Sequence, residues 1–173
     1  MIRIRAAKRG DTKAIGRIQV DTWRDAYAGL LPDKVLLRMS AEIEGGRWVR
    51  VIERKEAVVV AEDSKAGVVG FGSCGPSRLG ALPFQGEVYT LYVAPGFQGK
   101  GIGRRLLRSL FVELELAGMK SALIWVLKAN QSRFFYEAMG GRHVADRDER
   151  LWGSVVAESA YGWDELAVPC SRR

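Results

Sequence analysis

The spacing of apolar and polar residues divides the first third of the chain into one strand followed by two helices. Residues 1–7, MIRIRAA, alternate between apolar and polar side chains, and this period of two predicts a strand. From Asp11 onward apolar residues recur at helical spacing, which predicts a helix ending near Gly29, before Pro32. A second helix is expected over residues 40–54, although two adjacent glycines weaken it.

Beyond this point the period changes to that of β-strands. Residues 57–63 and 68–75 predict a hairpin whose turn is the short segment 64–67. The following residues, 76–86, are rich in proline and glycine and predict a loop. Residues 87–93, EVYTLYV, are β-branched and aromatic and predict a further strand.

The second half of the chain alternates between helices and strands. After the glycine-rich segment 95–103, apolar residues recur along one face of a helix between residues 106 and 114. We expect this helix to end at Gly118. Residues 121–128 are nearly all apolar and predict a strand buried on both faces, 130–141 a short helix, and 154–163 the last strand. This order predicts one mixed α/β domain over residues 1–173, with helices on both faces of a sheet. The helical apolar face comprises Leu106, Leu107, Leu110, Phe111 and Leu114.

Length and composition agree with a single core of this kind. The chain has 173 residues, of which 47% are hydrophobic. It has no apolar run of the roughly 20 residues that a membrane span needs, and its basic start lacks the apolar stretch of a signal peptide. A cytoplasmic protein is expected. Cys74 and Cys170 are far apart and His143 is the single histidine, so we expect reduced thiols and no metal site.

The net charge of +7 and the pI of about 9.7 leave three classes of partner open: nucleic acid, an acidic surface, or a polyanionic small molecule. Most basic residues are scattered, and the chain has no recognised nucleic-acid-binding motif. A local cluster adjoins a glycine-rich segment, which favours the small molecule and argues against nucleic acid. The cluster comprises Lys100, Arg104, Arg105 and Arg108.

That segment, PGFQGKGIGRRLL at residues 95–107, places four glycines between a predicted strand and a predicted helix. Glycines there leave backbone N–H groups facing one concavity, and the start of the helix adds partial positive charge. A phosphate or pyrophosphate is the expected occupant, and a simple tight corner is the alternative. The spacing is neither the dinucleotide fingerprint nor a Walker A loop.

The residues Gln98-Gly99-Lys100-Gly101-Ile102-Gly103 match the Q/R-x-x-G-x-G/A signature of the GNAT superfamily of acetyl-CoA-dependent N-acetyltransferases. The chain is similar to bacterial members also at TWRDAYAGLLP, NQSRFFYEAMGGR and AYGW, although it has Gly140-Gly141 where many members have Gly-Phe. The resemblance implies a mostly antiparallel twisted sheet of six to seven strands with about four helices, splayed between the fourth and fifth strands. It also implies acetyl-CoA as the cofactor, without a metal, and a possible homodimer.

The resemblance further implies the residues that hold the cofactor. Backbone amides from Gln98 to Arg104 would bind the pyrophosphate, and the strand before them would bulge and pair with the pantetheine arm. One strand N–H would polarise the thioester carbonyl. Asn130 is expected both to cap its helix and to contact the cofactor. The strand partners are Leu91, Tyr92 and Val93, and Phe135 is a wall residue.

Two residues are candidates for proton transfer. By resemblance, Tyr136 stands at the position where the family commonly has its general acid. A phenol suits this role, because it stays protonated at neutral pH and can donate its proton to a leaving thiolate. Its alternative is a core tyrosine. Glu87 is the candidate base that takes the amine proton, although an ordinary glutamate pKa is too low for this unless burial raises it. Its alternative is a solvated glutamate at a strand end.

The acceptor amine is expected across the sheet from the cofactor, against Trp23, Tyr27 and Leu30, with Arg24 and Asp25 as possible polar contacts. Core packing of the two aromatic residues is the alternative. The expected activity is acetyl transfer to a primary amine of a small molecule or peptide in a ternary complex. A non-catalytic acyl-CoA-binding module on the same fold is the alternative function, and the sequence does not choose the amine.

Overall fold

The computed structural model describes residues 1–151 and 153–168. Within them the chain forms seven strands and five α-helices, with a short 3-10 turn at Arg9–Asp11. The strands are β1 (Ile2–Ala6), β2 (Ala57–Asp63), β3 (Gly67–Pro76), β4 (Gly86–Val93), β5 (Ala122–Leu127), β6 (Arg142–Leu151) and β7 (Ser154–Trp163). The helices are α1 (Thr12–Tyr27), α2 (Asp33–Arg38), α3 (Ala41–Glu53), α4 (Ile102–Leu116) and α5 (Ser132–Ala138).

The strands form one sheet in the order β1-β2-β3-β4-β5-β7-β6. All neighbours are antiparallel except β4 and β5, which are parallel and pair only at Gly86 with Ala122 and at Glu87 with Leu123. Beyond these residues the two strands separate, which opens the middle of the sheet. The mixed α/β class and the splay between the fourth and fifth strands are therefore confirmed.

Strand β4 contains a bulge just before the sheet opens. Ser73 of β3 lies opposite Thr90, whereas the next residue, Cys74, lies opposite Val88. Tyr89 is thus an extra residue in β4, and a bulge of this kind bends its strand and increases the twist. The bend is consistent with β4 turning away from β5.

The two faces of the sheet are covered by different helices. The leucine face of α4 packs on one face, against residues such as Val59, Val88 and Ile124. On the other face, Ile15 of α1 and Trp48 of α3 pack against the sheet. The splay therefore lies between two packed layers, with α4 on one side and α1 on the other.

Helix α2 was not expected, because the sequence pattern indicated only a restart of the chain at Pro32. Its six residues are too few to show a helical period. Tertiary contacts hold it: Leu36 is buried beside Tyr27 and Leu31, and the Arg24 guanidinium donates hydrogen bonds to the carbonyl oxygens of Leu36 (3.1 Å) and Met39 (3.0 Å). The described residues thus form five α-helices, where about four were expected.

The packing of α1 on α3 depends on close backbone approach at two glycines. A Cβ atom at Gly16 would lie 2.6 Å from the backbone nitrogen of Gly45, and one at Gly45 would lie 3.0 Å from the carbonyl oxygen of Thr12. Gly46, in contrast, has no atom within 4 Å of such a Cβ. The glycine pair that weakens α3 as an isolated helix therefore contains one residue that α1 requires.

We expect Gly16→Ala to lower the free energy of unfolding by about 1–3 kcal/mol, because the added methyl group must push the two helices apart. The matched change Gly46→Ala should instead raise it by about 0.5–1 kcal/mol, since alanine favours a helix interior. Urea unfolding of both variants measures the two changes. Equal effects of the same sign would contradict the assigned role of Gly16.

Candidate active site

The splay between β4 and β5 opens into a cleft of about 600 Å³. Its walls come from α1, the loop before β4, strands β4 to β7 and the start of α5. Residues far apart in the chain therefore meet at one place. Those with polar groups in this wall include Trp23, Glu87, Tyr92, Trp125, Asn130 and Tyr136.

A second cavity, of about 400 Å³, continues from this cleft toward the glycine loop. It is bounded by Gly99, Gly101 and Arg104 on the loop side and by Phe135 on α5. The two spaces form one path from the glycine loop to the opened sheet, because several residues line both. The shared residues are Leu91, Val93, Gln98, Ser132 and Tyr136.

The glycine loop has a left-handed backbone conformation at the two glycines that come just before α4. Gly99 and Gly101 have φ angles of +73° and +75°, in the left-handed region that favours glycine. Gly101 precedes the first turn of α4, and Arg105 donates the first hydrogen bond of this helix, to the Gly101 carbonyl oxygen (3.2 Å). The amides of the residues between them have no acceptor in the preceding turn of the helix. They form a site suited to a phosphate group.

Close packing at Gly103 positions this end of the helix. A Cβ atom there would lie 3.2 Å from the Phe135 ring, so glycine allows α4 to begin directly against α5. Ile102 is buried in the core beside it. Phe135 is thus a wall of the loop cavity, the position expected for it.

Two polar side chains of the loop support the loop itself. The Gln98 amide donates to the carbonyl oxygen of Val93 (3.0 Å), and the Lys100 ammonium donates to that of Gly96 (2.7 Å). Gln98 still lines both cavities, whereas Lys100 lines neither. Arg104 is the cationic side chain of the loop cavity.

Tyr136 lies where the two cavities join. It is 5% exposed, and no described residue forms a hydrogen bond with its hydroxyl group. Burial raises the pKa of Tyr136 well above its ordinary value, since the charged phenolate is disfavoured away from water. The phenol of Tyr136 therefore keeps its proton at neutral pH.

Glu87 lies in the same cleft, and its carboxylate accepts three hydrogen bonds, all from Arg78. Arg78 donates to its carboxylate from the backbone nitrogen (3.0 Å), from Nε (3.2 Å) and from Nη2 (2.6 Å). Glu87 is only 1% exposed, so the alternative of a solvated strand-end glutamate is wrong. The hydrogen bond to Glu87 raises the pKa of Arg78. The structure brings Glu87 to the cleft, and its role as the base stays a prediction.

Two of the predicted acceptor residues line the cleft and are tied to its other walls. Trp23 and Tyr27 pack edge to face, with ring centroids 4.6 Å apart. The Trp23 indole nitrogen donates to the Tyr92 hydroxyl (3.1 Å), and the Asn130 amide donates to the Tyr27 hydroxyl (2.9 Å). Burial raises the pKa of both Tyr27 and Tyr92.

Asn130 was expected to cap its helix, but the N-cap residue of α5 is Gln131. The side-chain oxygen of Asn130, one residue before the cap position, instead accepts a hydrogen bond from the Ser132 amide (2.8 Å). Other expectations for the acceptor side differ from the structure. Leu30 is 49% exposed and lies outside both cavity walls. Arg24 points to the end of α2 instead, and Asp25 is exposed.

Sequence reasoning missed the wall that β5, β6 and β7 contribute. Trp125, Arg147, Glu149 and Glu158 line the cleft there. Arg147 and Glu149 are two residues apart on one strand, which is the spacing of one face. That signal was available only once the β6–β7 hairpin was recognised, since Arg147 pairs with Glu158 across it.

The remaining candidate groups lie away from the cleft. The Cys74 thiol is buried in the core, which raises its pKa to about 12 and keeps it protonated, and Cys170 lies outside the described residues. His143 is exposed on β6 and bonds to Asp146 (2.8 Å). Residues 1–151 and 153–168 contain no metal-binding cluster of three or more His, Cys, Asp or Glu, and none of their helices has the length and apolarity to span a bilayer.

Comparison with known proteins places this fold and cleft in one family. The acetyltransferase (GNAT) domain matches residues 54–140, from β2 through α5. An uncharacterised N-acetyltransferase of Bacillus subtilis is 32% identical over 168 residues, which cover 97% of this chain and 96% of that protein.

Two solved structures share the fold. One, from Salmonella typhimurium with its cofactor acetyl-CoA, has a TM-score of 0.71 at 20% identity and covers 100% of this chain and 98% of its own. The other, an N-acetyltransferase of Thermoplasma acidophilum in complex with coenzyme A, has a TM-score of 0.65 at 19% identity. The match covers 92% of this chain and 98% of that one. The domain match and the Bacillus subtilis relative show that the chain belongs to the GNAT superfamily of acetyltransferases.

Proposed function

We propose that this protein transfers an acetyl group from acetyl-CoA to a primary amine of a small molecule or peptide, by direct attack in a ternary complex. The observation that supports this most strongly is the continuous path from the glycine loop to the opened sheet. Tyr136 lies at the junction of its two parts. A pyrophosphate at one end and a thioester at the other would occupy this path.

The residues present fit acetyl-CoA. The amides at the start of α4 would hold its pyrophosphate, with Arg104 as a counter-charge. The edge of β4 that β5 leaves unpaired, at Leu91, Tyr92 and Val93, would bond the pantetheine arm, and one of these N–H groups would polarise the thioester carbonyl. When bound, the cofactor supplies an acetyl group activated as a thioester.

The transfer forms one carbon–nitrogen bond and breaks one carbon–sulfur bond. The amine nitrogen provides the electron pair for the new bond, and the pair of the broken bond leaves with sulfur. Tyr136 would give its proton to that sulfur, because burial keeps the phenol protonated until a thiolate develops beside it.

The amine must also lose a proton, and Glu87 is our proposed acceptor. Arg78 donates two hydrogen bonds to Oε1 of Glu87 and one to Oε2. A carboxylate accepts about four hydrogen bonds, so one lone pair of Oε2 remains for the amine or a bridging water. Arg78 would meanwhile hold the carboxylate against the wall of the cleft.

A melting scan followed by an amine screen tests the proposal. We expect acetyl-CoA at about 100 times its Kd to stabilise the protein by roughly 2.7 kcal/mol, and NAD to have no effect. Thiol release should then appear with a subset of amines. Stabilisation without thiol release across the panel would favour the non-catalytic acyl-CoA-binding module, and no stabilisation would exclude both functions.

A further inference from the structure

We infer that the acceptor carries, in addition to its amine, a neutral hydrogen-bond-accepting oxygen such as an amide carbonyl, and that the cleft discriminates against a free carboxylate. This inference rests on the proposed function, since it concerns the acceptor end of the same cleft. It is carried by Trp125, Arg147, Glu149 and Glu158, the wall formed by β5, β6 and β7.

The Trp125 indole N–H is an unused donor in this wall. Its nitrogen is shielded from solvent and has no hydrogen-bond partner, and among the described residues it is the one buried side-chain nitrogen or oxygen in this state. A buried donor without an acceptor costs free energy that an incoming oxygen atom recovers. Because Trp125 lines the cleft, a ligand that displaces the side chains shielding this nitrogen can supply that oxygen.

The charges around Trp125 decide which kind of oxygen fits. The Arg147 guanidinium lies 3.9 Å from the Trp125 ring centroid. It is already paired with Glu158 at 2.7 Å, and Glu149 lies 3.7 Å from it. A ligand carboxylate would therefore enter beside two glutamates and an arginine that one of them already neutralises.

The charged residues of the whole cleft also disfavour a carboxylate. Its charged lining residues are two arginines and three glutamates, which leaves one negative charge in excess within a chain of net charge +7. Arg78 is paired as well, with Glu87. A protonated amine is attracted by this excess, whereas a carboxylate is repelled. An amide carbonyl satisfies the indole N–H without adding charge.

Two sources offer this chemistry: the amide of a single amino acid and the N-terminus of a peptide. Both combine an amine with a neutral carbonyl. Free amino acids have the amine but end in a carboxylate, and simple alkylamines have no carbonyl. Comparison of these four classes of compound therefore separates the effects of the amine, the neutral carbonyl and the carboxylate on binding.

Calorimetric binding to the protein saturated with coenzyme A tests the inference without requiring turnover. The probes are amino-acid amides, the matched free acids, the matched alkylamines, and tripeptides with the same first residue. We expect amides or tripeptides to bind at least about tenfold more tightly than the acids and alkylamines, or roughly 1.4 kcal/mol. A preference for tripeptides over amides would identify the peptide as the source.

Trp125→Phe keeps the ring and removes the N–H, so the preference for the carbonyl over the alkylamine should fall below about threefold. Glu149→Gln removes the excess charge and should weaken the discrimination against acids. Trp48→Phe is the matched control, because its indole N–H bonds to Gln19 outside the cleft (2.7 Å), and it should leave both ratios unchanged.

Equal binding of acids and amides, a preference that survives in Trp125→Phe, or no binding by any probe would each overturn the inference. Selective binding of amides without acetyl transfer would leave it standing and count against the proposed function instead. The two proposals therefore fail by different results.

Discussion

Replacing Tyr136 with phenylalanine is expected to lower kcat by about 10²- to 10⁴-fold, the usual contribution of a positioned general acid. The variant keeps the aromatic ring that packs between Phe135 and Trp163, so the Kd of acetyl-CoA should stay nearly the same. The loss is expected because the Tyr136 phenol is the group proposed to protonate the leaving thiolate. Steady-state kinetics with the accepted amine, together with calorimetry of acetyl-CoA, measures both quantities.

Tyr161→Phe is the control for this change. Tyr161 is a buried tyrosine whose ring centroid lies 6.4 Å from that of Tyr136, and it lines neither cavity. Its variant should retain most of kcat, because the Tyr161 hydroxyl belongs to a residue that lines neither cavity. An unchanged kcat in Tyr136→Phe would remove the acid assignment, and a large loss in Tyr161→Phe would attribute the effect to packing.

The second large effect is expected at the glycine loop. Gly101→Ala should weaken acetyl-CoA binding by roughly 10- to 100-fold, equivalent to losing one or two charge-assisted hydrogen bonds. Alanine is strained at the observed φ of +75°, and its methyl group would project where the phosphate must approach the amides. Calorimetric titration with acetyl-CoA measures the change.

Gly118→Ala separates strain from ligand contact. Gly118 has a φ of +83° just beyond the opposite end of α4, so alanine there meets the same backbone penalty of about 1–2 kcal/mol. Both variants should unfold more easily, but only Gly101→Ala should bind acetyl-CoA more weakly. Equal affinities for the cofactor would show that the loop does not hold the phosphate.

Elements with a strong local signal were predicted closely. The leucine face of α4 and its stop at Gly118 correspond to a helix that ends at Leu116, and the apolar segment around residue 124 is the central strand β5. The six-residue α2 was missed, because its stability comes from Leu36 in the core and from the Arg24 guanidinium at its end. Neither contact leaves a periodic pattern.

In the candidate site, too, residues with a local sequence signal were identified and those that depend on tertiary contacts were not. Gly99, Gly101 and Gly103 were identifiable because the spacing of glycines in a turn is a local feature of the chain. Leu30 was placed wrongly, since a helix end near Gly29 does not determine which side chains face the sheet. Trp125 was missed because its significance depends on an N–H that folding buries without a partner.

By itself the sequence determined most of the strands and helices in their order, the mixed α/β class and the glycine-rich turn before α4, all of which depend on neighbouring residues. Tertiary structure alone decided that Arg78 holds Glu87, that Asn130 joins Tyr27 across the cleft, and that the wall of β5 to β7 has excess negative charge. These features join residues from 9 to 103 positions apart in the chain. Such contacts depend on how the strands are ordered in the sheet, which no local pattern specifies.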